Sequence, residues 1–331
     1  MRLLVLGGGG FLGHHVVAAA RGAGHETTVF ARSDRSPFDV EVLTGDRGGD
    51  LSALRGRSWD AVLDTFTDPA PGAPAIRATA ELLTGAAGIY GYVSGMSVYA
   101  PSGPAHPDES APVRRAGREP DDDPLQERSV AKLAAEAVLA EVFDGPVLLP
   151  RVGIMVGPRD PSHRFTWWPL RLHRALHGTA GRVVPAPGDP ARPVQYSDAR
   201  DIARWVVDML DRRQGGTFNT VGPGRADPLA DVVGACLTAA GGAPGDVEFR
   251  WIAEDRLRTA LAGVEEEQRP LWFPEDQIPQ DSIDSTAALR AGLVFRPVAD
   301  TARETLEWAL REGADGLVDG PFERRAADLV R

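Results

Sequence analysis

The chain has 331 residues, 43% of them apolar and 25% charged, which is long for one core and suits two lobes. Its net charge of −11 argues against a nucleic-acid partner, because neutralising phosphates needs a basic face. No apolar run is long enough to cross a membrane, and the single cysteine, Cys236, excludes an intrachain disulfide and suits a reducing cytoplasm.

Residues 2–6 (RLLVL) read as a short buried strand, and residues 11–21 as a helix stopped by Gly22 and Gly24. Strands follow at 26–30, 40–44 and 60–65, a helix at 73–84, and a strand at 88–94. Alternating strands and helices, with the strands apolar nearly throughout, predict a parallel, doubly wound α/β sheet. Residues 101–124, rich in proline, glycine and acids, read as a surface excursion that hinges or covers a site. A helix at 124–143 is predicted, with Asp123 as its N-cap and Pro124 at its first position. Strands at 146–152 and 217–221 complete the regular part. From about residue 153 the spacing is irregular, and Trp167 and Trp168 either line a pocket or fill a second core. The expected division is a dinucleotide-binding domain at 1–152 with a return near 195–222, and a smaller substrate-binding lobe at 153–194 and 223–331.

Gly7, Gly10 and Gly13 make a G-x-x-G-x-x-G loop after the first strand and before the first helix. That context suits a pyrophosphate held by backbone N–H groups from Gly7 to Gly13, including those of Phe11 and Leu12 at the helix start. An acid ending the second strand would favour NAD; here Ala31 stands in that place and Arg32 follows, which suits the 2′-phosphate of NADP, while Asp34 keeps NAD open. Among 36 basic residues Lys132 is the only lysine, which marks a position where a compact ammonium matters.

Together with the glycine loop, several further motifs follow in order: Asp46 in TGD, Ser94-Gly95-Met96-Ser97-Val98-Tyr99, Lys132 on a helix, and Arg151 ahead of Val156-Gly157-Pro158. This set resembles the extended short-chain dehydrogenase/reductases, the NAD-dependent epimerase/dehydratases, over most of the chain. The resemblance implies a Rossmann-type sheet and Asp46 as a cofactor contact. It also implies catalysis by a serine, a tyrosine and a lysine, the last two spaced Y-x-x-x-K. Lys132 matches the lysine, but Arg128 stands in the tyrosine's place and Gly95 in the serine's, leaving Ser94 and Ser97 as flanking hydroxyls. Arginine cannot give a proton near neutral pH, although it can hold an anion.

Three readings stay open on these residues. One is an NAD(P)(H)-dependent oxidoreductase acting on a small hydroxyl- or carbonyl-bearing metabolite with altered proton-transfer residues. Another is non-redox elimination, epimerisation or cyclisation on the same scaffold. The third is a catalytically silent dinucleotide sensor. The expected partner is a small-molecule substrate, with no nucleic acid, membrane or metal, and a homodimer as the assembly to consider.

Overall fold

The computed structural model describes residues 1–66, 72–116, 126–274 and 282–330. The first run of the chain gives β1 (Arg2–Leu6), α1 (Phe11–Gly22), β2 (Glu26–Ala31), β3 (Glu41–Thr44), β4 (Ala61–Asp64), α2 (Gly72–Leu83), β5 (Tyr90–Tyr92), β6 (Ser94–Gly95), α3 (Gln126–Val142) and β7 (Val147–Val152). Next come β8 (Met155–Val156), α4 (Trp167–Leu176), β9 (Val183–Pro187), β10 (Pro193–Val194) and β11 (Ser197–Asp198). The chain continues with α5 (Ala199–Asp211), β12 (Gly216–Thr220), β13 (Asp227–Pro228), α6 (Leu229–Ala239), β14 (Glu248–Ile252) and α7 (Glu254–Ala260). Helices α8 (Thr286–Arg290), α9 (Val298–Arg311) and α10 (Pro321–Leu329) close it. The expected cap of α3 at Asp123 and Pro124 lies outside the described residues.

The chain divides into two compact units: Met1–Gly153 with Ala199–Gly224 and Ser282–Val294, and Ile154–Asp198 with Arg225–Asp281 and Phe295–Arg331. In the first unit the strands run parallel in the order β12-β7-β5-β4-β1-β2-β3, with β6 beside β7. Chain order reverses between β1 and β4, so the carboxyl ends of those two strands border the crevice where doubly wound sheets take ligands. Every side chain of β4 is buried, as are the last four of β1, because helices cover both faces of the sheet. Leu4, Leu6, Phe30, Val62 and Tyr90 pack against Ile76, Ala80 and Leu139 of α2 and α3. Across the sheet, α1 packs on α5.

One departure from the expected single strand at 88–94 has a local cause. Pairing runs Tyr90↔Val147 and Gly91↔Leu148, then resumes at Ser94↔Arg151. Continuing the register sets Val93 beside Pro150, whose ring nitrogen has no proton to give to the ladder. The strand breaks there into β5 and β6.

A second departure concerns Ser282–Val294, which the sequence reading gives to the second lobe. It belongs to the first unit, because Asn219 Nδ2 donates to Asp284 O at 2.9 Å and Ser285 Oγ bonds the backbone of Val221. The return near 195–222 likewise begins later, since Gln195 to Asp198 stay with the second unit, where β11 pairs with β8.

The second unit has its own core, in which Trp167, Trp168, Cys236, Trp272 and Phe322 are buried. The two tryptophans of α4 therefore fill this core: Trp168 Nε1 donates to Pro270 O, and Trp167 meets Phe322 edge-on. Strands β9 and β14 pair in parallel, although Pro185 and Pro187 sit within β9. Prolines at alternate positions hide such a strand from sequence rules.

Candidate functional site

The loop after β1 is shaped by contacts inside the protein. Gly7 has φ +93°, and a Cβ there would lie 2.3 Å from the Thr65 hydroxyl at the end of β4. That hydroxyl donates to Leu6 O at 3.0 Å and so ties the two strand ends of the crevice together. A Cβ on Gly13 would lie 2.3 Å from Gly7 O, so this glycine lets α1 sit close on the turn. Gly9 and Gly10 differ. Both are exposed, Gly9 has open space where a Cβ would go, and Gly10 meets only Gly7 O, at 3.4 Å.

α1 starts at Phe11 with Leu12 and Gly13 in its first turn. Gly10 caps it without a side-chain hydrogen bond, and no acid stands in that turn. The helix N-terminus, with its N–H groups and positive dipole end, is therefore undressed above the crevice, as a pyrophosphate requires.

Arg32 follows the end of β2 and is exposed, with no ion pair among the described residues. Asp46 is exposed and Oδ1 accepts from Gly48 N at 2.9 Å, so its side chain also shapes its own turn. Arg47, which sequence reasoning passed over, has its side chain 10% exposed. Its Nη1 donates to Asp64 at 2.5 Å, and its guanidinium lies over the Phe66 ring, while Nε and Nη2 are buried without a partner. Nothing in the local spacing around Asp46 announces a pair with Asp64, which only the sheet brings near.

The strand-end serines and α3 form the other part of the site. Ser94 is fully buried and its Oγ has no partner, whereas Ser97 is half-buried and its carbonyl accepts Arg114 Nε at 2.7 Å. Arg114 N also bonds Val98 O, and Tyr99 pairs with Val113. The described part of the excursion is thus tied to the end of β6. On α3, Ser129, Lys132 and Glu136 are buried and Arg128 is exposed.

Lys132 Nζ donates to Val93 O at 3.2 Å, the carbonyl at the strand break opposite Pro150. A Cβ on Gly95 would lie 3.6 Å from that Nζ. Burial pulls the ammonium down to about 7, the Arg128 charge pulls the same way, and Glu136 opposes both. Ser129, a second buried hydroxyl without a partner, was missed; the signal for it was its place three residues before Lys132, on the same helical face.

Glu136 is engaged elsewhere. Arg151 binds it with two bonds, of 2.7 and 3.1 Å, and also donates to Tyr99 OH at 3.1 Å. Tyr99 OH donates to Asn219 Oδ1 at 2.6 Å, and Asn219 N donates to Glu109 at 2.7 Å. Of the other tyrosines, two are bonded and one is buried. Tyr90 OH donates to Asp64, Tyr196 OH to Asp227 in the second unit, and Tyr92 is buried with its phenol pushed up chiefly by that burial.

No family model and no curated protein matches the chain. Solved structures do. A NAD-dependent NDP-hexosamine 5,6-dehydratase of tunicamycin biosynthesis is 18% identical, with a TM-score of 0.66 over 94% of this chain and 98% of its own. The UDP-Glc/GlcNAc 4-epimerase of Campylobacter jejuni is 13% identical, with a TM-score of 0.65 over 94% and 99%. The UDP-glucose 4-epimerase of Bifidobacterium longum, solved with NAD+ and UDP, is 16% identical, with a TM-score of 0.64 over 95% and 100%. The chain therefore has, over nearly its whole length, the Rossmann-type fold of the extended short-chain dehydrogenase/reductase epimerases and dehydratases.

Proposed function

We propose that this protein is a nicotinamide-dinucleotide-dependent oxidoreductase of the extended short-chain dehydrogenase/reductase type. Its substrate is a small metabolite bearing a hydroxyl or carbonyl group. The observation that carries this reading is the undressed N-terminus of α1, with exposed Gly9 and Gly10, at the switch point of a parallel sheet. Its neighbours by fold support it, since the epimerase from Bifidobacterium longum binds NAD+ and the named enzymes act on hydroxyl-bearing nucleotide sugars.

In this reading the N–H groups of Phe11, Leu12 and Gly13 hold the pyrophosphate beside exposed Gly9 and Gly10, those of Gly7 and Gly10 being taken by Phe30 O and Gly7 O, and Asp46 borders the adenosine end. Lys132, from the buried face of α3, holds the nicotinamide ribose. A bound nicotinamide supplies the hydride donor or acceptor. Ser94 and Ser97 flank Gly95 at the strand end, and Arg128 holds an anionic oxygen of the substrate. The second unit is assigned substrate recognition. Isothermal calorimetry with NADP+ and NAD+ tests the reading, and binding of neither removes it.

NADP is the cofactor this reading prefers, because Arg32 is exposed at the end of β2 and free of ion pairs among the described residues. Arg32→Ala is expected to weaken NADP+ by one or two charged hydrogen bonds, roughly 1.5–3 kcal/mol each, and to leave NAD+ nearly unchanged. Equal losses for both cofactors in the same calorimetry would assign Arg32 to something other than the 2′-phosphate.

A further inference from the structure

We infer that Lys132 is itself the proton-transfer group of this site, standing in for the absent tyrosine. The inference rests on the dinucleotide reading above and adds a second role to the residue. Its basis is which groups surround Lys132 and which of them are already engaged.

A buried ammonium needs a counterion, and among the described residues the carboxylate that acts on it is Glu136, one turn along α3. That carboxylate is held by both arms of Arg151 from β7, so its charge is already matched. The remaining charge near Lys132 is the cation of Arg128, one turn earlier on α3, while Tyr92 faces the same region from β5 as a neutral phenol. With one backbone carbonyl as its hydrogen-bond partner, the amine is held neutral as readily as charged around neutral pH, where a general acid or base works best.

Geometry fixes the amine in place. The bond to Val93 O fixes Nζ at the end of β5, on the side of Val93 that faces β4, where Phe66 N turns to the Asp64 side chain. Gly95 then leaves open the space beside Nζ that a side chain would fill. The hydroxyls of Ser94 and Ser129 are buried without partners on the strand end and the helix face that carry this site. No tyrosine competes, since all four are buried and three of them bond other groups.

The neutral amine accepts the hydroxyl proton of a substrate alcohol and becomes ammonium. The hydride, with its electron pair, would leave the same carbon for a bound oxidised nicotinamide as the C=O bond forms. In the reverse direction the ammonium returns the proton to the carbonyl oxygen.

The test uses the whole protein without cofactor. Because Lys132 is the only lysine, labelling with [13C]lysine gives one side-chain Cε signal. That signal is expected to titrate between about pH 6 and 8, far below the ordinary lysine value near 10.4. It should move to higher pH in Arg128→Glu, which exchanges repulsion for attraction. A midpoint above about pH 9.5 would overturn the inference.

A stability measurement checks the same point. The folded value lies below the unfolded one, so burying this lysine costs stability fully at pH 6, and the cost fades as pH rises from about 7 to 10. The Tm gap between Lys132→Met and the wild type should narrow over that range, and a gap that stays constant would also overturn the inference. Calorimetry with NADP+ on the same sample keeps the two readings apart. Binding of NADP+ together with a high lysine midpoint removes the proton role alone.

Discussion

Gly10→Val is expected to give a folded protein that no longer binds NADP(H) or NAD(H) measurably. The three glycines of the loop are not equivalent, and this makes Gly10 the informative one. Side chains at Gly7 or Gly13 would strike Thr65 or the turn's own backbone at 2.3 Å, so those changes damage the fold and say little about a ligand. At Gly10 the backbone is extended, with φ −73°, and the nearest protein atom to a new Cβ is 3.4 Å away. A valine is therefore accommodated by the protein and obstructs only what approaches from solvent. Crowding costs about 1–3 kcal/mol, and a lost charged hydrogen bond adds about 1.5–3 kcal/mol, so affinity falls roughly 10²–10⁴-fold. Circular dichroism should show an unchanged fold, and calorimetry should show no binding. Wild-type affinity in a folded Gly10→Val protein would remove the phosphate loop from the proposed function.

Arg151→Ala is expected to be strongly destabilising. The guanidinium is 7% exposed and its partner Glu136 is 10% exposed, so truncation leaves a buried carboxylate without the cation that binds it. It also takes a donor from Tyr99 OH, which links onward to Asn219, and from there to Pro107, Glu109 and Asp284. Breaking a buried pair in this way costs about 3–5 kcal/mol. At roughly 2–4 °C per kcal/mol, the melting temperature should fall by about 6–20 °C. Arg151→Lys should rescue little, because one ammonium cannot replace two parallel bonds. Replacing both partners, as Arg151→Met with Glu136→Leu, should recover much of the loss. Thermal melts of the three variants, followed by circular dichroism, check this order. A small shift for Arg151→Ala would mean that the network does not hold the segments around Glu109 and Asp284 to the sheet.

The sequence by itself was enough for the part of the molecule governed by local spacing. The strand RLLVL, the glycine loop and α1 form one continuous run, and the alternation of apolar strands with helices up to β7 defines a parallel sheet before any contact is known. The sequence also raised an expectation of altered chemistry, because by the spacing of the resemblance Arg128 and Gly95 stand where a tyrosine and a serine would be.

The state of the lysine was decided only in three dimensions. Lys132 depends on Val93, whose carbonyl meets it at the strand end, and on Glu136, whose charge Arg151 takes up from a neighbouring strand. Ser285 and Asp284 join the first unit through bonds to β12 and its end that span 64 and 65 residues. Tertiary structure also decided the second unit, where short strands with prolines at alternate positions carry no period to read. The physical reason is common to all of these. Backbone geometry repeats at intervals that a sequence displays, whereas the charge state of a buried group depends on neighbours that only the folded chain assembles.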